Sequence, residues 1–460
     1  MQLQHLRMAA ATGLPVAGLL WSGLAIAGLG LLAEPVSGRA GGLPLTLALL
    51  TLFVAAIVAT FSLRYMRADP RSARFFLLLG LLVAAVLAWL FAGNVLTFAL
   101  AWCASGWLLA ALIGHAGSGA EGDGAVRRTR LAFLAGDAAL VGALAILAWH
   151  AQSLTIDAAV AGAATLSWPL ATMAAVLLVI AAAARCALPP FSGWLLSSMT
   201  APTPVSALMH AGLVNAGGFL LIRMAPVLEA APAARLAAVG LGLGGALYGI
   251  GIMLVRPDVK RSLAGSTVSQ MGFMIMSCGL GAYAAALWHI VAHGLFKAWL
   301  FLGSGSTIGM KPATPAGQLS RPLSLAVAGV TAGAALALVA SGKAEPSLVP
   351  LLLGAVTAMA TLASCFAGKA PVRTRIALLA GIAVLVAFHG LGLALSERAV
   401  AGDAPALVPG WALLVLLGAF LGLWLWQQQR LAAGRGLPLP LYVHFINAGA
   451  LHPLVKGDDK

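Results

Sequence analysis

Three titratable side chains follow one another at helical spacing in an apolar stretch of the sequence. His289, His293 and Lys297 lie four residues apart between positions 283 and 303. On an α-helix, residues four apart share a face and lie about 6 Å apart along the axis, a gap that one water molecule can bridge. Imidazole titrates near neutrality, and a lysine removed from water can lose its proton. The stripe therefore predicts a ladder of side chains that pass protons along the helix.

Two other interpretations of this stripe remain open. Intramembrane histidines often only hydrogen-bond a neighbouring helix, and a lone histidine such as His389 favours that structural role. Two imidazoles one turn apart also suit zinc or copper. However, the sequence offers no third ligand at a sensible spacing, and the ammonium of Lys297 would repel a metal cation. We therefore predict no metal site and favour proton conduction.

A second set of unusual residues lies between positions 185 and 223. Arg185 is a guanidinium in apolar sequence, which is tolerated mainly where it faces a bundle interior or a water-filled cavity. Pro189 and Pro190 remove backbone donors and predict a broken helix, and transporters build ion sites from such breaks. His210 follows on the next apolar segment. Because arginine is effectively never deprotonated, we predict that Arg185 is a fixed charge and not a proton carrier.

One carboxylate is a candidate to balance this charge. Asp137 lies inside the apolar stretch 131–150 and is the nearest intramembrane acid to consider for Arg185. An aspartate that hydrogen-bonds the end of its own helix is an equally good interpretation.

The composition requires a membrane. The chain of 460 residues is 61% hydrophobic and 9% charged, whereas soluble domains carry about 25% charged residues. The net charge of +14 comes from Lys and Arg in short loops between apolar segments, so we predict no nucleic-acid binding. The cysteines show no close pairing, which argues against a disulfide framework and a zinc site. They are Cys103, Cys186, Cys278 and Cys365.

The apolar runs predict an all-α polytopic membrane protein. Runs of about twenty residues suffice to cross a bilayer. We count about fourteen: 12–33, 43–65, 75–92, 94–114, 131–150, 168–198 (broken), 203–223, 235–255, 262–280, 282–308, 322–341, 348–367, 374–395 and 408–429. Most of the 27 Lys and Arg residues fall in loops on one side, which predicts an even number of spans with both termini in the cytoplasm.

Several of these motifs resemble one family. The run Trp194, Met199, Pro202 through Leu208 and His210-Ala211 resembles the signature of the antiporter-like membrane subunits of respiratory complex I and the Mrp cation antiporters. The continuation 212–220 most resembles the membrane subunit of Dab-type inorganic-carbon pumps. The loop 256–270 also matches, although its charges and hydroxyls are equally typical of topology and of helix capping.

The resemblance implies roles for individual residues. His289, His293 and Lys297 match the histidine-histidine-lysine helix of the family's second unit. Arg185 falls where most relatives carry the central lysine of the first unit, and Asp137 matches an aspartate of a Gly-Asp pair. These residues and His210 would be stations on a polar, hydrated path through the middle of the membrane.

Two positions fit the family less well. Its proton path ends on a lysine in a second broken helix, for which Lys343 is the best candidate; a plain exposed loop is the alternative. Cys103 follows Trp102 where complex I subunits carry a glutamate. The first unit therefore conducts differently from its complex I counterpart, or not at all.

The resemblance also implies the arrangement of the chain, with two inverted five-helix repeats that each contain a broken helix. We predict N-terminal transmembrane helices at 1–74, a first antiporter-like repeat at 75–234 and a second at 235–370. C-terminal transmembrane helices would occupy 371–430 and a cytoplasmic tail 431–460.

By this resemblance the chain is a transporter subunit and not itself an enzyme. It would conduct protons in a cell (inner) membrane complex that accumulates CO2 or bicarbonate. Its expected partner is a large soluble zinc-binding, carbonic-anhydrase-like subunit on the cytoplasmic face, and this chain would carry no cofactor. The alternatives are a proton-pumping subunit of a complex I-like or hydrogenase-type oxidoreductase, an Mrp-like cation/proton antiporter subunit, and an anchor that has lost conduction.

Overall fold

The computed structural model describes residues 41–116, 119–307, 319–343, 345–367, 372–400 and 406–450. These ranges form eighteen α-helices and contain no strand. The helices are α1 (Gly42–Tyr65), α2 (Ser72–Leu90), α3 (Val95–Ile113), α4 (Ala120–Ala151), α5 (Ile156–Ala161), α6 (Trp168–Arg185), α7 (Gly193–Ser197), α8 (Thr203–Ala211), α9 (Ala216–Arg223), α10 (Ala225–Glu229), α11 (Pro232–Val255), α12 (Val259–Leu280), α13 (Tyr283–Gly303), α14 (Arg321–Ala340), α15 (Leu348–Ala367), α16 (Val372–Ala399), α17 (Gly410–Ala432) and α18 (Leu439–Ile446).

These helices confirm an all-α polytopic membrane protein. Eleven helical segments among the described residues are long and apolar enough to cross a membrane. The predicted span 262–280 is present as α12 but is too polar to be one of the eleven, and α15 has a shorter apolar stretch, Leu348–Ala360. The predicted span 12–33 lies outside the described residues. The count of fourteen therefore stays a prediction.

The polar helix α12 lies against α11 with the two backbones in close contact. A Cβ atom at Gly249 would lie 2.2 Å from the backbone nitrogen of Ser269, and one at Gly272 would lie 2.3 Å from that of Ala246. Small residues permit this approach between membrane helices, whose association depends on van der Waals packing. Because α11 and α12 pack so closely, the position of α12 is fixed, and its polar side chains lie against α8 and α13.

The chain breaks between α6 and α7, where Pro189 and Pro190 lie in the turn and are joined by a cis peptide bond. Two backbone carbonyls near the break accept hydrogen bonds from side chains. Trp194 Nε1 donates to Ala184 O at 2.8 Å, and Cys186 Sγ donates to the carbonyl of Val214 at 3.1 Å. Such partners replace the water that is missing at membrane depth.

The second predicted break has a different form. The helix α14 is continuous to Ala340 and is then closed by Gly342, whose φ of 72° is in the left-handed region. The amides of Gly342 and Lys343 donate to the carbonyls of Val339 and Leu338 at 3.1 and 3.0 Å, which is a Schellman motif. The Gly/Pro-interrupted sequence here is an exposed turn between two helices, because glycine stops α14 before Lys343.

The last described segment is held against the bundle by arginines. Arg128 of α4 donates to the carbonyls of Gly449 and Ala450 at 2.8 and 3.0 Å. Arg256, which follows α11, donates to the carbonyl of Ala448. The helix α18 therefore packs on α11, and the residues that follow it lie against α4, on the face that is rich in Lys and Arg.

The variant Gly249→Leu should force α11 away from α12. Its side chain would enter space held by the backbone of Ser269, and overpacking of this kind costs about 1–3 kcal/mol of unfolding free energy. We expect a lower Tm for the purified protein in detergent. Gly240→Leu on the same helix is the matched control, because a Cβ atom at Gly240 meets nothing within 4 Å. Equal melting temperatures for the two variants would contradict this packing.

Candidate functional site

A buried hydrogen-bonded chain joins α8, α12 and α13. The side chain of Lys297 is 1% exposed, and its Nζ donates to the backbone carbonyl of Leu263 at 3.0 Å. The same carbonyl accepts a hydrogen bond from Thr267 Oγ1 at 3.0 Å. Thr267 Oγ1 in turn lies 3.0 Å from Nδ1 of His210. An ammonium on one helix and an imidazole on another are thus connected through a hydroxyl and a carbonyl of α12.

The hydroxyl of Thr267 has two hydrogen-bonding arrangements. When it donates to Leu263 O, its oxygen accepts a hydrogen from Nδ1 of His210. When it donates to Nδ1, Lys297 is the only side chain that still donates to the carbonyl of Leu263. Rotation of one hydroxyl therefore changes which tautomer of His210 is stabilised, and a proton relay needs such a change after each transfer.

The histidine stripe extends from this chain toward the start of α13. The rings of His289 and His293 stack with centroids 5.6 Å apart and an 18° angle between their planes. The ring of His210 stacks on Phe301 at 4.1 Å, which fixes its orientation. Within the described residues, Nε2 of all three histidines lacks a hydrogen-bond partner. Buried polar atoms of this kind are commonly satisfied by water, which suits a hydrated path.

Arg185 forms a separate centre with Asp137. Its Nη2 lies 3.0 Å from Asp137 Oδ1 and donates to the carbonyl of Trp102 at 2.6 Å, and both charged side chains are buried. The guanidinium carbon also lies 4.8 Å from the ring centroid of Trp102 and 4.5 Å from that of Phe133. A buried arginine is tolerated when carboxylate, carbonyl and aromatic faces surround it. Asp137 is thus paired with Arg185 and not with the end of its own helix.

The structure brings together some of the predicted site residues and leaves others apart. His210, His289, His293 and Lys297 line one region, whereas the half-buried Cys103 is on α3 beside the Arg185 centre. No hydrogen bond between described residues joins the two centres. Lys343 is exposed in the turn after α14 and is in neither of them. Its assignment to the proton path stays a prediction.

Thr267 and the carbonyl of Leu263 were missed by sequence reasoning. The hydroxyl-rich run at 262–269 was interpreted as helix capping, but the cap of α12 is Asp258, whose carboxylate accepts a hydrogen bond from the amide of Arg261 at 2.8 Å. Thr267 lies more than two turns further along the helix. A run of hydroxyls that continues past the first turn of a membrane helix was the available signal.

The described part of the chain contains no group of three or more His, Cys, Asp and Glu side chains that could hold a metal ion. The ring centroid of His289 lies 5.4 Å from that of Phe273.

The variant Asp137→Asn should be strongly destabilising. It leaves the guanidinium of Arg185 buried without its carboxylate, and breaking such a pair costs about 3–5 kcal/mol of unfolding free energy. Denaturation in detergent measures this loss, and replacing both residues (Asp137→Leu with Arg185→Met) should recover most of it. Arg261→Gln is the control, because its ion pair with Asp258 is partly exposed and 4.0 Å long. A mild effect from Asp137→Asn would argue against the pair.

Thr267→Val should slow proton flux and preserve the fold. Valine has nearly the same shape but has no hydroxyl, and one lost hydrogen bond of about 1 kcal/mol corresponds to roughly fivefold in rate. Thr267→Ser restores the hydroxyl and should recover the flux. The measurement is dye-reported proton flux into proteoliposomes. A valine variant as fast as the serine variant would remove Thr267 from the relay.

Known proteins share this arrangement of helices. A family model described as "NADH:quinone oxidoreductase/Mrp antiporter, TM" matches residues 92–382, and one described as "NADH-Ubiquinone oxidoreductase (complex I), chain 5 N-terminus" matches residues 32–76. Among solved structures, the Mrp complex from Dietzia sp. is similar with a TM-score of 0.55 at 26% identity. That similarity covers 89% of this chain and 45% of the other.

The relatives among curated proteins include inorganic carbon transporter subunits and quinone oxidoreductase subunits. The probable inorganic carbon transporter subunit DabB1 of Halothiobacillus neapolitanus is 41% identical over 261 residues, which cover 55% of this chain and 47% of the relative. NADH-quinone oxidoreductase subunit L of Mycobacterium tuberculosis is 37% identical over 261 residues, covering 55% and 41%. The chain spans about half the length of the curated relatives it matches. Because the first family model covers more than half of the chain, the chain belongs to the NADH:quinone oxidoreductase/Mrp antiporter family of transmembrane subunits.

Proposed function

We propose that this chain is the proton-conducting membrane subunit of a complex that accumulates inorganic carbon. The observation that carries the proposal is the buried chain from Lys297 through Leu263 O and Thr267 to His210. It connects α8 of the first predicted repeat to α13 of the second. The names of the DabB relatives, which are inorganic carbon transporter subunits, support the choice of CO2 or bicarbonate as the transported species.

Proton movement in this proposal follows the stripe on α13. A protonated Lys297 disfavours a second positive charge on His293, because like charges repel strongly in a medium of low dielectric. Protons therefore move one at a time, and each departure from the lysine permits the next arrival. Water at the unpartnered Nε2 atoms of His289 and His293 would bridge the steps.

Arg185 acts in this proposal as a permanent charge beside the path. Its pair with Asp137 is neutral overall, so it costs less in the membrane than a lone guanidinium. An ordinary thiol holds its proton far more tightly than a carboxylic acid does, so the half-buried Cys103 beside this pair is a poor substitute for a glutamate that would release and take up a proton. The first repeat then contributes His210 and water, and the second repeat contributes the lysine that exchanges protons.

The partner in this proposal is a large soluble zinc-binding, carbonic-anhydrase-like subunit on the cytoplasmic face of the cell (inner) membrane. Hydration of CO2 consumes one water and yields bicarbonate and one proton. Proton flow through this chain would drive that reaction in one direction. The zinc ion belongs to the partner, and this chain acts as a transporter subunit with both termini in the cytoplasm and without a resident cofactor.

A second candidate function is supported by a specific similarity. Subunit L of an NADH-quinone oxidoreductase is nearly as similar to this chain as the DabB proteins are, and the solved Mrp complex shares its fold. Purification of the tagged chain from its native membrane in mild detergent separates these functions. A large zinc protein in the same complex favours inorganic-carbon transport, whereas flavin or iron–sulfur subunits favour an oxidoreductase.

Lys297→Ala should abolish proton-coupled uptake of inorganic carbon. The substitution removes the buried ammonium, and loss of a proton-transfer group costs about 10²–10⁴ in rate. Uptake of labelled bicarbonate or CO2 by cells, measured with and without an uncoupler, reports the effect. Trp299→Ala is the control, because Trp299 lies on the same helix and is exposed. Normal uptake by Lys297→Ala would support an anchor that has lost conduction.

Lys343→Ala tests where the path ends. Lys343 lies in an exposed turn, where its ammonium is solvated by water. Its removal should therefore change little, and we expect uptake by the Lys343→Ala variant within about twofold of wild type. The assay is the same uptake measurement at equal expression level. A loss as large as that of Lys297→Ala would assign the end of the path to Lys343, as the family resemblance implies.

A further inference from the structure

A cavity of about 380 Å³ opens at the face of the bundle where α1 begins and α9 ends. Four polar side chains line it, each from a different helix: Asp157, Arg223, Glu229 and Tyr283. A volume of this size holds on the order of ten water molecules. The loops on this face carry few Lys and Arg residues, so the positive-inside rule assigns it to the non-cytoplasmic side.

The guanidinium group of Arg223, the arginine in this cavity, is already hydrogen-bonded to the protein backbone. Nη1 of Arg223 donates to the carbonyl of Leu90 at 2.6 Å, and Nη2 donates to that of Ala92 at 2.5 Å. Asp157 lies near enough to interact with its charge. These contacts anchor the end of α9 to the end of α2. Because both terminal nitrogens of its guanidinium group already donate to backbone carbonyls, Arg223 has few donors left to bind an anion such as bicarbonate.

Glu229 is the acid in the cavity with the most unusual surroundings. It ends α10 and is half-buried, and burial raises its pKa above the ordinary value of 4.5, with the charge of Arg235 and the Tyr283 hydroxyl acting in the opposite direction. Arg235 is itself held by the carbonyls of Gly279 and Leu280 at 3.1 and 2.9 Å. Its charge therefore stays in place whether or not Glu229 is ionised.

The phenol beside Glu229 lacks an ordinary partner. Tyr283 is 2% exposed and neighbours the carboxylate, yet among the described residues its hydroxyl makes no hydrogen bond of normal geometry. A buried hydroxyl that faces a cavity and lacks a protein partner is commonly hydrogen-bonded to a water molecule. Tyr283 is also the first residue of α13, and His289 follows about 9 Å further along the same helix axis.

We propose that this cavity is the vestibule that collects protons from the non-cytoplasmic side, with Glu229 as its proton-accepting group and Tyr283 as the contact to α13. The proposal rests on the proposed proton conduction. The charged and titratable groups that face Glu229 are Tyr283 on α13 and Arg235 on α11, with Asp157 and Arg223 across the cavity. The other described lining residues, which come from α1, α5, α9, α10 and the end of α16, are apolar and cannot hold the proton.

Accessibility tests the vestibule without any transport assay. The test uses a maleimide that cannot cross the membrane in which the protein lies. Added to intact cells, so that it reaches only the non-cytoplasmic face of that membrane, it should label the new thiol of Glu229→Cys. Glu397→Cys, exposed on α16 near the same face, is the positive control, and Arg74→Cys, exposed at the opposite face, is the negative control. Labelling at Glu397→Cys with none at Glu229→Cys would overturn the vestibule. Labelling of Arg74→Cys alone would overturn the assigned orientation.

Transport tests the proton-accepting role. Glu229→Gln keeps the shape of the side chain but cannot take up a proton, so we expect uptake to fall about tenfold or more, with the largest loss at alkaline external pH. Glu229→Asp should retain most of the rate with a changed pH profile, and Glu397→Gln should match wild type. Normal uptake and an unchanged pH profile in Glu229→Gln would overturn the role of Glu229. If Lys297→Ala also transports normally, proton conduction itself has failed, and labelling still decides whether the vestibule exists.

Discussion

Each buried cation of this chain needs acceptors, because a charge without partners in a membrane interior is costly. Backbone carbonyls meet this need repeatedly. Lys297 uses the carbonyl of Leu263, Arg185 that of Trp102, and Arg223 those of Leu90 and Ala92. A carbonyl accepts but cannot be protonated, so it holds a cation without competing for its proton. The fold depends on bringing the right backbone segments beside these few side chains.

The two buried centres differ in charge balance. Arg185 has a carboxylate at 3.0 Å, so that centre is neutral overall. Lys297 donates to a carbonyl and, among the described residues, has no ion pair, so its positive charge is removed only when its proton leaves. The unbalanced lysine is the one suited to exchange protons, and the balanced arginine is suited to shape the field around the path.

The sequence predicted what depends on local spacing and did not predict what depends on distant contacts. The stripe of His289, His293 and Lys297 and the turn at Pro189 and Pro190 are visible in a few consecutive residues. Thr267 acquires its role only because α12 packs beside the contact between α8 and α13, and the close packing that places it there involves glycines 23 residues apart, Gly249 and Gly272. For the region around Lys343 the sequence left a broken helix and an exposed loop as alternatives, because it did not show that Gly342 adopts a left-handed conformation and ends α14.

The guanidinium contacts at the C-terminal segment act as a mechanical clasp. Three donors from Arg128 and Arg256 hold consecutive carbonyls at 448–450, and these arginines belong to the first and second predicted repeats. While these hydrogen bonds are made, they oppose any rocking of the adjacent ends of α4 and α11 against each other. A cycle that moves only water, hydroxyl rotors and protons can run with the clasp shut, whereas a carrier that swings one repeat past the other would first have to open it.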